Sequence, residues 1–239
     1  MVGSFSDKGN VREINEDYIG FIEGPINLYI IADGMGGYNA GEVASKLAVE
    51  YTMEYVKTNY NIYEPKELLV KAIKYSNEKI YKLSNTNIEY KSMGTTITAC
   101  LIFDKNLLVA NVGDSSCFAI KDEALVKITK DHSLVQELVD NGTITEDEAQ
   151  NHPNKNIITR ALGTNETIII DTFSLDLKEI SKVLLCTDGL TNELTDSEIY
   201  EIISKSDNQS GSLKLIEESK IKGGRDNISV IVFEGDGKQ

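Results

Sequence analysis

Four times along the chain an aspartate stands at the boundary of a short apolar run. Asp17 opens the run Tyr18-Ile19-Gly20-Phe21-Ile22 after Arg12-Glu13-Ile14-Asn15-Glu16. Asp33-Gly34 closes Leu28-Tyr29-Ile30-Ile31-Ala32, and Asp188-Gly189 closes Val183-Leu184-Leu185-Cys186-Thr187. Asp226 follows Gly223-Gly224-Arg225 and precedes the final apolar segment. A carboxylate at the end of a buried strand is held rigidly yet keeps one side open, and a glycine beside it lets the backbone approach a ligand closely. Any single Asp-Gly is more often a turn. Four together, with an arginine near the first, favour a binding site for a hard divalent cation such as Mg²⁺ or Mn²⁺, which takes carboxylate, carbonyl and water oxygens.

The spacing of apolar residues predicts the elements that carry these aspartates. Residues 17–23 and 27–32 read as a strand pair across a Gly24-Pro25 turn, and 95–103 and 107–112 as a hairpin around Asp104-Lys105-Asn106. Shorter strands are expected at 116–120, 124–129, 167–173, 182–186 and 228–233. Val43, Leu47, Tyr51 and Tyr55 recur every four residues and predict a helix over about 40–58. Leu69, Ala72, Ile73, Ile80 and Leu83 predict another over 65–84, and two more are expected near 196–205 and 210–221. Strand groups separated by helix pairs suggest two packed sheets with helices outside, a layered α/β or α+β domain. Residues 133–166 are polar and weakly periodic, and are expected to form a small helical insertion, a mobile flap within one domain spanning 1–239.

The chain carries 38 acidic and 24 basic residues, a net charge of -14. That excludes a nucleic-acid binder, which needs a basic patch, and docking on anionic lipid. No apolar run approaches the ~18 residues of a membrane span, and the start Met1-Val2-Gly3-Ser4-Phe5-Ser6-Asp7-Lys8 has no signal-peptide pattern. Cys100, Cys117 and Cys186 sit singly in apolar stretches, which predicts buried free thiols and a reducing cytoplasm. No His/Cys cluster suggests structural zinc, and no lysine follows Gly34, Gly36 and Gly37 at P-loop spacing. Those glycines are expected to let the backbone pass a cleft. His132 and His152 are expected on the surface or in loop packing.

With these residues in place, the chain resembles the metal-dependent 2C-type serine/threonine phosphatases, the PPM family, in their compact bacterial form. The resemblance is carried by SDKGNVREINEDY (6–18), ADGMGG (32–37), GTT (94–96), NVGDS (111–115), ITRALG (158–163), CTDGL (186–190) and GGRDNIS (223–229). It implies an α+β fold: a central sandwich of two mainly antiparallel sheets flanked by helix pairs, four layers in all, acting as a monomer. It also implies that Asp17, Asp33, Asp188 and Asp226, with the Gly34 carbonyl, hold two divalent cations, Mn²⁺ or Mg²⁺. A hydroxide between them would attack phosphoserine or phosphothreonine in proteins, reversing a serine/threonine kinase. Glu16 and Asn227 would orient waters in the outer shell, and Arg12 would grip the phosphate. Asp114 would hold a third, weaker cation and serve leaving-group protonation. Two positions depart from the pattern. Met35 stands where eukaryotic relatives often have histidine, and cannot transfer a proton; Ser116 stands where bacterial relatives often have arginine. A binding module that keeps the fold without the chemistry would be expected to have lost a metal aspartate, and all are present. A phosphatase for small phosphorylated metabolites uses the same chemistry and stays open.

Overall fold

The computed structural model describes residues 2–36 and 40–237; Gly37, expected to border the cleft, lies outside the described residues. Among the described residues, eleven strands form two antiparallel sheets. The first has the order β1 (Gly3–Asp7), β11 (Ile228–Glu234), β10 (Lys182–Cys186), β7 (Ser116–Lys121) and β8 (Ala124–Lys127). The second runs β2 (Asp17–Ile22), β3 (Asn27–Met35), β5 (Ile97–Phe103), β6 (Asn106–Val112) and β9 (Asp171–Asp176), with the short β4 (Gly94–Thr95) paired to the end of β3. Side chains alternate across each strand, and here both faces are covered. Tyr29 and Ile31 of β3 meet Val183, Leu185, Ile231 and Phe233 between the sheets, and Tyr29 stacks on Phe233 at a centroid distance of 3.9 Å. Leu28, Ile30 and Ala32 face the opposite way, onto α1 (Ala40–Asn59) and α2 (Pro65–Thr86). On the far side Leu184, Cys186, Val230 and Val232 pack on α6 (Asp196–Ser204) and α7 (Asn208–Lys222). The result is the expected α+β arrangement of two sheets between two helix pairs.

The helices follow local signals. Pro65 opens α2, where its missing N–H costs nothing. Thr195 and Glu198 form a reciprocal capping box at the start of α6. The buried face of α1 differs from the expected one. It presents Ala40, Gly41, Ala44, Ser45, Ala48 and Val49, while Val43, Leu47 and Tyr55 flank the core and are only partly buried. The reason is proximity: a Cβ on Gly34 would stand 2.1 Å from the Gly41 carbonyl oxygen, so only small residues fit between α1 and the end of β3.

Three strand expectations need correction. β3 continues past Ala32 to Met35, so Asp33 and Gly34 lie within its last turns of pleat, held by β4. The strand expected at 167–173 is β9, beginning only at Asp171, because its pairing with β6 starts at Asn111↔Asp171 and β6 ends one residue further, at Val112. β1, which holds a single large apolar residue, Phe5, was not expected and exists by pairing with β11. Within 133–166 the helices are α3 (Leu134–Asp140) and α4 (Glu146–Gln150), neither with a buried residue. The short α5 (Asp188–Thr191) begins on Asp188 itself. All three cysteines are buried and free, and no helix among the described residues is long and apolar enough to cross a membrane.

Candidate active site

The aspartates meet at one end of the sandwich. Asp17 and Asp33 are direct register partners across β2 and β3, a like-charge pairing that a sheet tolerates only with compensation. Asp17 is 5% exposed. Its Oδ2 accepts from Ser229 Oγ at 2.7 Å and Thr187 Oγ1 at 2.9 Å, while Oδ1 is buried with no hydrogen-bond partner. Thr187 and Ser229 are themselves locked together, the Ser229 amide donating to Thr187 Oγ1 at 3.0 Å. Asp188 repeats the arrangement: Oδ2 accepts from Asn192 Nδ2 at 2.9 Å and Oδ1 is buried without a partner. Asn192 in turn accepts from Lys155 Nζ at 2.9 Å, a reach from the 133–166 segment to the cleft.

Asp33 is fixed through its backbone. Its amide donates to Thr96 Oγ1 at 2.9 Å, and its carbonyl accepts from the Thr96 amide and from Thr95 Oγ1, each at 2.9 Å. These are the threonines of the GTT block. Thr96 Oγ1 also bonds Ser115 Oγ at 2.9 Å, next to Asp114. Asp226 accepts from Arg12 at 2.8 Å and from the Asn227 amide at 2.8 Å. The Arg12 side chain is half exposed. Asn227 spends its side chain on the loop that carries Arg12 and Glu16: Oδ1 accepts from the Glu16 amide at 2.8 Å, and Nδ2 donates to the carbonyls of Lys8 at 3.0 Å and Ile14 at 2.9 Å. The Glu16 carbonyl accepts from the Gly34 amide at 3.0 Å.

The electrostatics unite the set. Burial, opposed by the two hydroxyl bonds and reinforced by Asp188 and Asp226, pushes the Asp17 carboxyl up to about 7. Burial and then Asp188 push Asp114 up to about 8, and burial with Asp226 pushes Asp188 up to about 6. Burial raises Asp33 well above the usual carboxylate range, and Asp17, Asp188, Asp114 and Asp226 all add to it. Asp17, Asp33, Asp114 and Asp188 therefore share one poorly solvated cleft, with the partly exposed Asp226 beside them. Among the described residues no three His, Cys, Asp or Glu side chains are drawn tightly enough together to hold an ion as they stand; Arg12 and Asn192 engage two of the carboxylates instead. The partnerless oxygens of Asp17 and Asp188 nevertheless fit an oxygen-liganded divalent cation, since a buried carboxylate oxygen without a partner is costly until a positive charge meets it.

Of the two alternatives expected for His132, surface or loop packing, the structure shows loop packing: it is buried at 5% exposure and bonded to Gly113 beside Asp114, a contact that its place after Asp131 in a polar stretch did not signal. His152 is half-buried, its Nδ1 accepting from the Asn154 amide at 3.2 Å. Ser116 is buried on β7, and Met35 pairs with Gly94 at the end of β3.

The family model described as protein phosphatase 2C matches residues 10–212. The chain is 37% identical over 237 residues to a serine/threonine phosphatase stp of Listeria monocytogenes, covering 97% of this chain and 94% of that protein. The crystal structure of the serine/threonine phosphatase PstP/Ppp of Mycobacterium tuberculosis superposes with a TM-score of 0.90 at 33% identity, over 99% of this chain and 98% of that one. A catalytic domain of PstP in complex with two manganese ions gives a TM-score of 0.81 at 32% identity, over 97% and 96% of the two chains. Fold and site thus define an enzyme of the protein phosphatase class. Within that class the chain belongs to the protein phosphatase 2C family.

Proposed function

We propose that this enzyme hydrolyses phosphoserine and phosphothreonine in proteins, using two divalent cations, Mn²⁺ or Mg²⁺, held by Asp17, Asp33, Asp188 and Asp226 with the Gly34 carbonyl. The observation that carries the reading is the pair of buried, partnerless oxygens on Asp17 and Asp188, beside an Asp33 whose pKa burial and the neighbouring carboxylates raise. The two manganese ions of the PstP neighbour support the same count. When bound, the cations supply a water of lowered pKa and positive charge against the phosphate oxygens. Four ligand carboxylates balance two divalent cations, which admits a phosphate despite the chain's charge of -14.

The chain's own residues do the rest. Thr187 and Ser229 hold Asp17 by one oxygen and leave the other free; Asn192 does the same for Asp188. Arg12 uses one amino group on Asp226 and keeps further donors of its planar fork for two phosphate oxygens. Asn227 anchors the Arg12 loop, and Glu16 lines the outer shell. Asp114 serves the leaving-group side, where a serine or threonine alkoxide needs a proton, and would hold the third, weaker cation. Residues 133–166 act as a mobile flap beside the cleft in a single-domain monomer. The physiological setting is the cytoplasm, opposite a serine/threonine kinase.

The test is hydrolysis of a phosphothreonine peptide by metal-stripped protein with Mn²⁺, Mg²⁺ or chelator added, beside free phosphoserine. Activity should appear only with added cation and favour the peptide. Full activity in stripped protein would overturn the assignment.

A further inference from the structure

Asp114 stands in the turn between β6 and β7. Its preceding residue, Gly113, has φ of 112°, and a Cβ there would stand 2.5 Å from Thr96 Cγ2. The Gly113 amide donates to His132 Nδ1 at 3.0 Å, and the His132 amide returns a bond to the Gly113 carbonyl at 2.9 Å. The same carbonyl accepts from Asn111 Nδ2 at 3.2 Å. Imidazole and backbone of one residue thus grip both polar groups of Gly113.

An imidazole nitrogen that accepts a bond carries no proton, so the ring proton sits on Nε2. Nε2 faces Asp171 Oδ2 at 3.2 Å and donates there; the Arg160 guanidinium, 3.1 Å from Nε2, has only donors, so with the proton on Nε2 it makes no hydrogen bond to the ring and donates to the other oxygen of the same carboxylate at 2.9 Å. Asp171 is the first residue of β9, and its partner in register is Asn111. Arg160 holds the carboxylate, the carboxylate selects the tautomer, and the tautomer leaves Nδ1 bare for Gly113.

We propose that His132 is a positioning residue that holds Asp114 at the cleft through Gly113, in a tautomer fixed by Asp171 and Arg160. The proposal rests on the reading of Asp114 as the leaving-group residue. Two substitutions separate the two ring nitrogens. His132→Asn places an acceptor near Nδ1 and abandons Asp171, whereas His132→Gln keeps a donor towards Asp171 and abandons Gly113.

In metal-free protein, ring nitrogen shifts should show a bare Nδ1 and a protonated Nε2. Exchange of the Gly113 amide should stay near the native rate in His132→Asn and rise about tenfold in His132→Gln, the effect of one lost hydrogen bond. With cation added, His132→Gln should slow a phosphothreonine peptide more than nitrophenyl phosphate, whose leaving group needs no proton. It should add no further loss in an Asp114→Ala background, because a residue acting through Asp114 has nothing left to act on. A protonated Nδ1, equal loss of Gly113 protection in both variants, or additive losses with Asp114→Ala would each overturn the positioning role. If Asp114→Ala slows both substrates equally, the leaving-group reading of Asp114 falls instead, while tautomer, Gly113 exchange and additivity still decide the role of His132.

Discussion

Asp17→Asn should stabilise the metal-free protein at alkaline pH while destroying its activity. Asp17 is 5% exposed and its carboxyl is pushed from 3.8 up to about 7. Between those values the folded chain binds a proton that the unfolded chain has released, so the stability present below pH 4 is lost as pH rises through about 7. At 1.36 kcal/mol per pKa unit, burying Asp17 costs about 3 kcal/mol more stability at pH 8, where it is ionised, than at pH 5, where the folded chain keeps it protonated. The asparagine oxygen keeps the bonds from Thr187 and Ser229, and its amide replaces the partnerless oxygen at a cost that is the same at both pH values. The stability of Asp17→Asn relative to native should therefore be greater at pH 8 than at pH 5 by about 3 kcal/mol, roughly 6–12 °C in Tm for a chain of this size. Thermal unfolding in chelator at the two pH values reads this directly. Added Mn²⁺ should reverse the order at pH 8, because only the native site gains a bound cation. An unchanged difference between pH 5 and pH 8 would refute the claim that burial, with Asp188 and Asp226 beside it, disfavours the ionised Asp17.

Asp33→Asn or Asp188→Ala should each lower phosphopeptide turnover by several orders of magnitude in Mn²⁺ while circular dichroism stays native; activity near the native level would remove either residue from the site. Arg12→Ala should raise KM more than it lowers kcat, because the guanidinium meets phosphate in ground and transition states alike. A large fall in kcat at unchanged KM would instead place its contribution in the transition state. Amides of α3 and α4, which bury no residue, should exchange faster than those of β5 and β10. Protection equal to the central strands would make 133–166 a rigid insertion.

Much of the fold was legible because apolar period is a local property. The runs at 28–32, 97–102, 183–186 and 228–233 are strands because residues of both parities are apolar, and such a run needs cover on both faces. β9 was misplaced for the same reason: Thr167-Ile168-Ile169-Ile170 reads as a strand, yet Ile169 is 69% exposed and only pairing with β6 decides where the strand starts. The register of α1 was also misjudged. Large aliphatics at four-residue spacing predict the core face, but the closeness of Gly34 and Gly41 turns the small residues inward.

By itself the sequence singled out the aspartates that the fold gathers at one end of the sandwich, since aspartates at strand ends beside glycine form a local pattern. It determined the layered class and the oxygen-rich donor set for the same reason. Only the tertiary structure decided what each carboxylate does with its two oxygens. Asp17 is oriented by Thr187 and Ser229, 170 and 212 residues away in the chain, and Asp114 is held by a histidine that reads as an ordinary loop residue. Hydrogen bonds between distant segments leave no period in the sequence, because each donor is an unremarkable Ser, Thr, Asn or His until folding brings it within 3 Å of its acceptor.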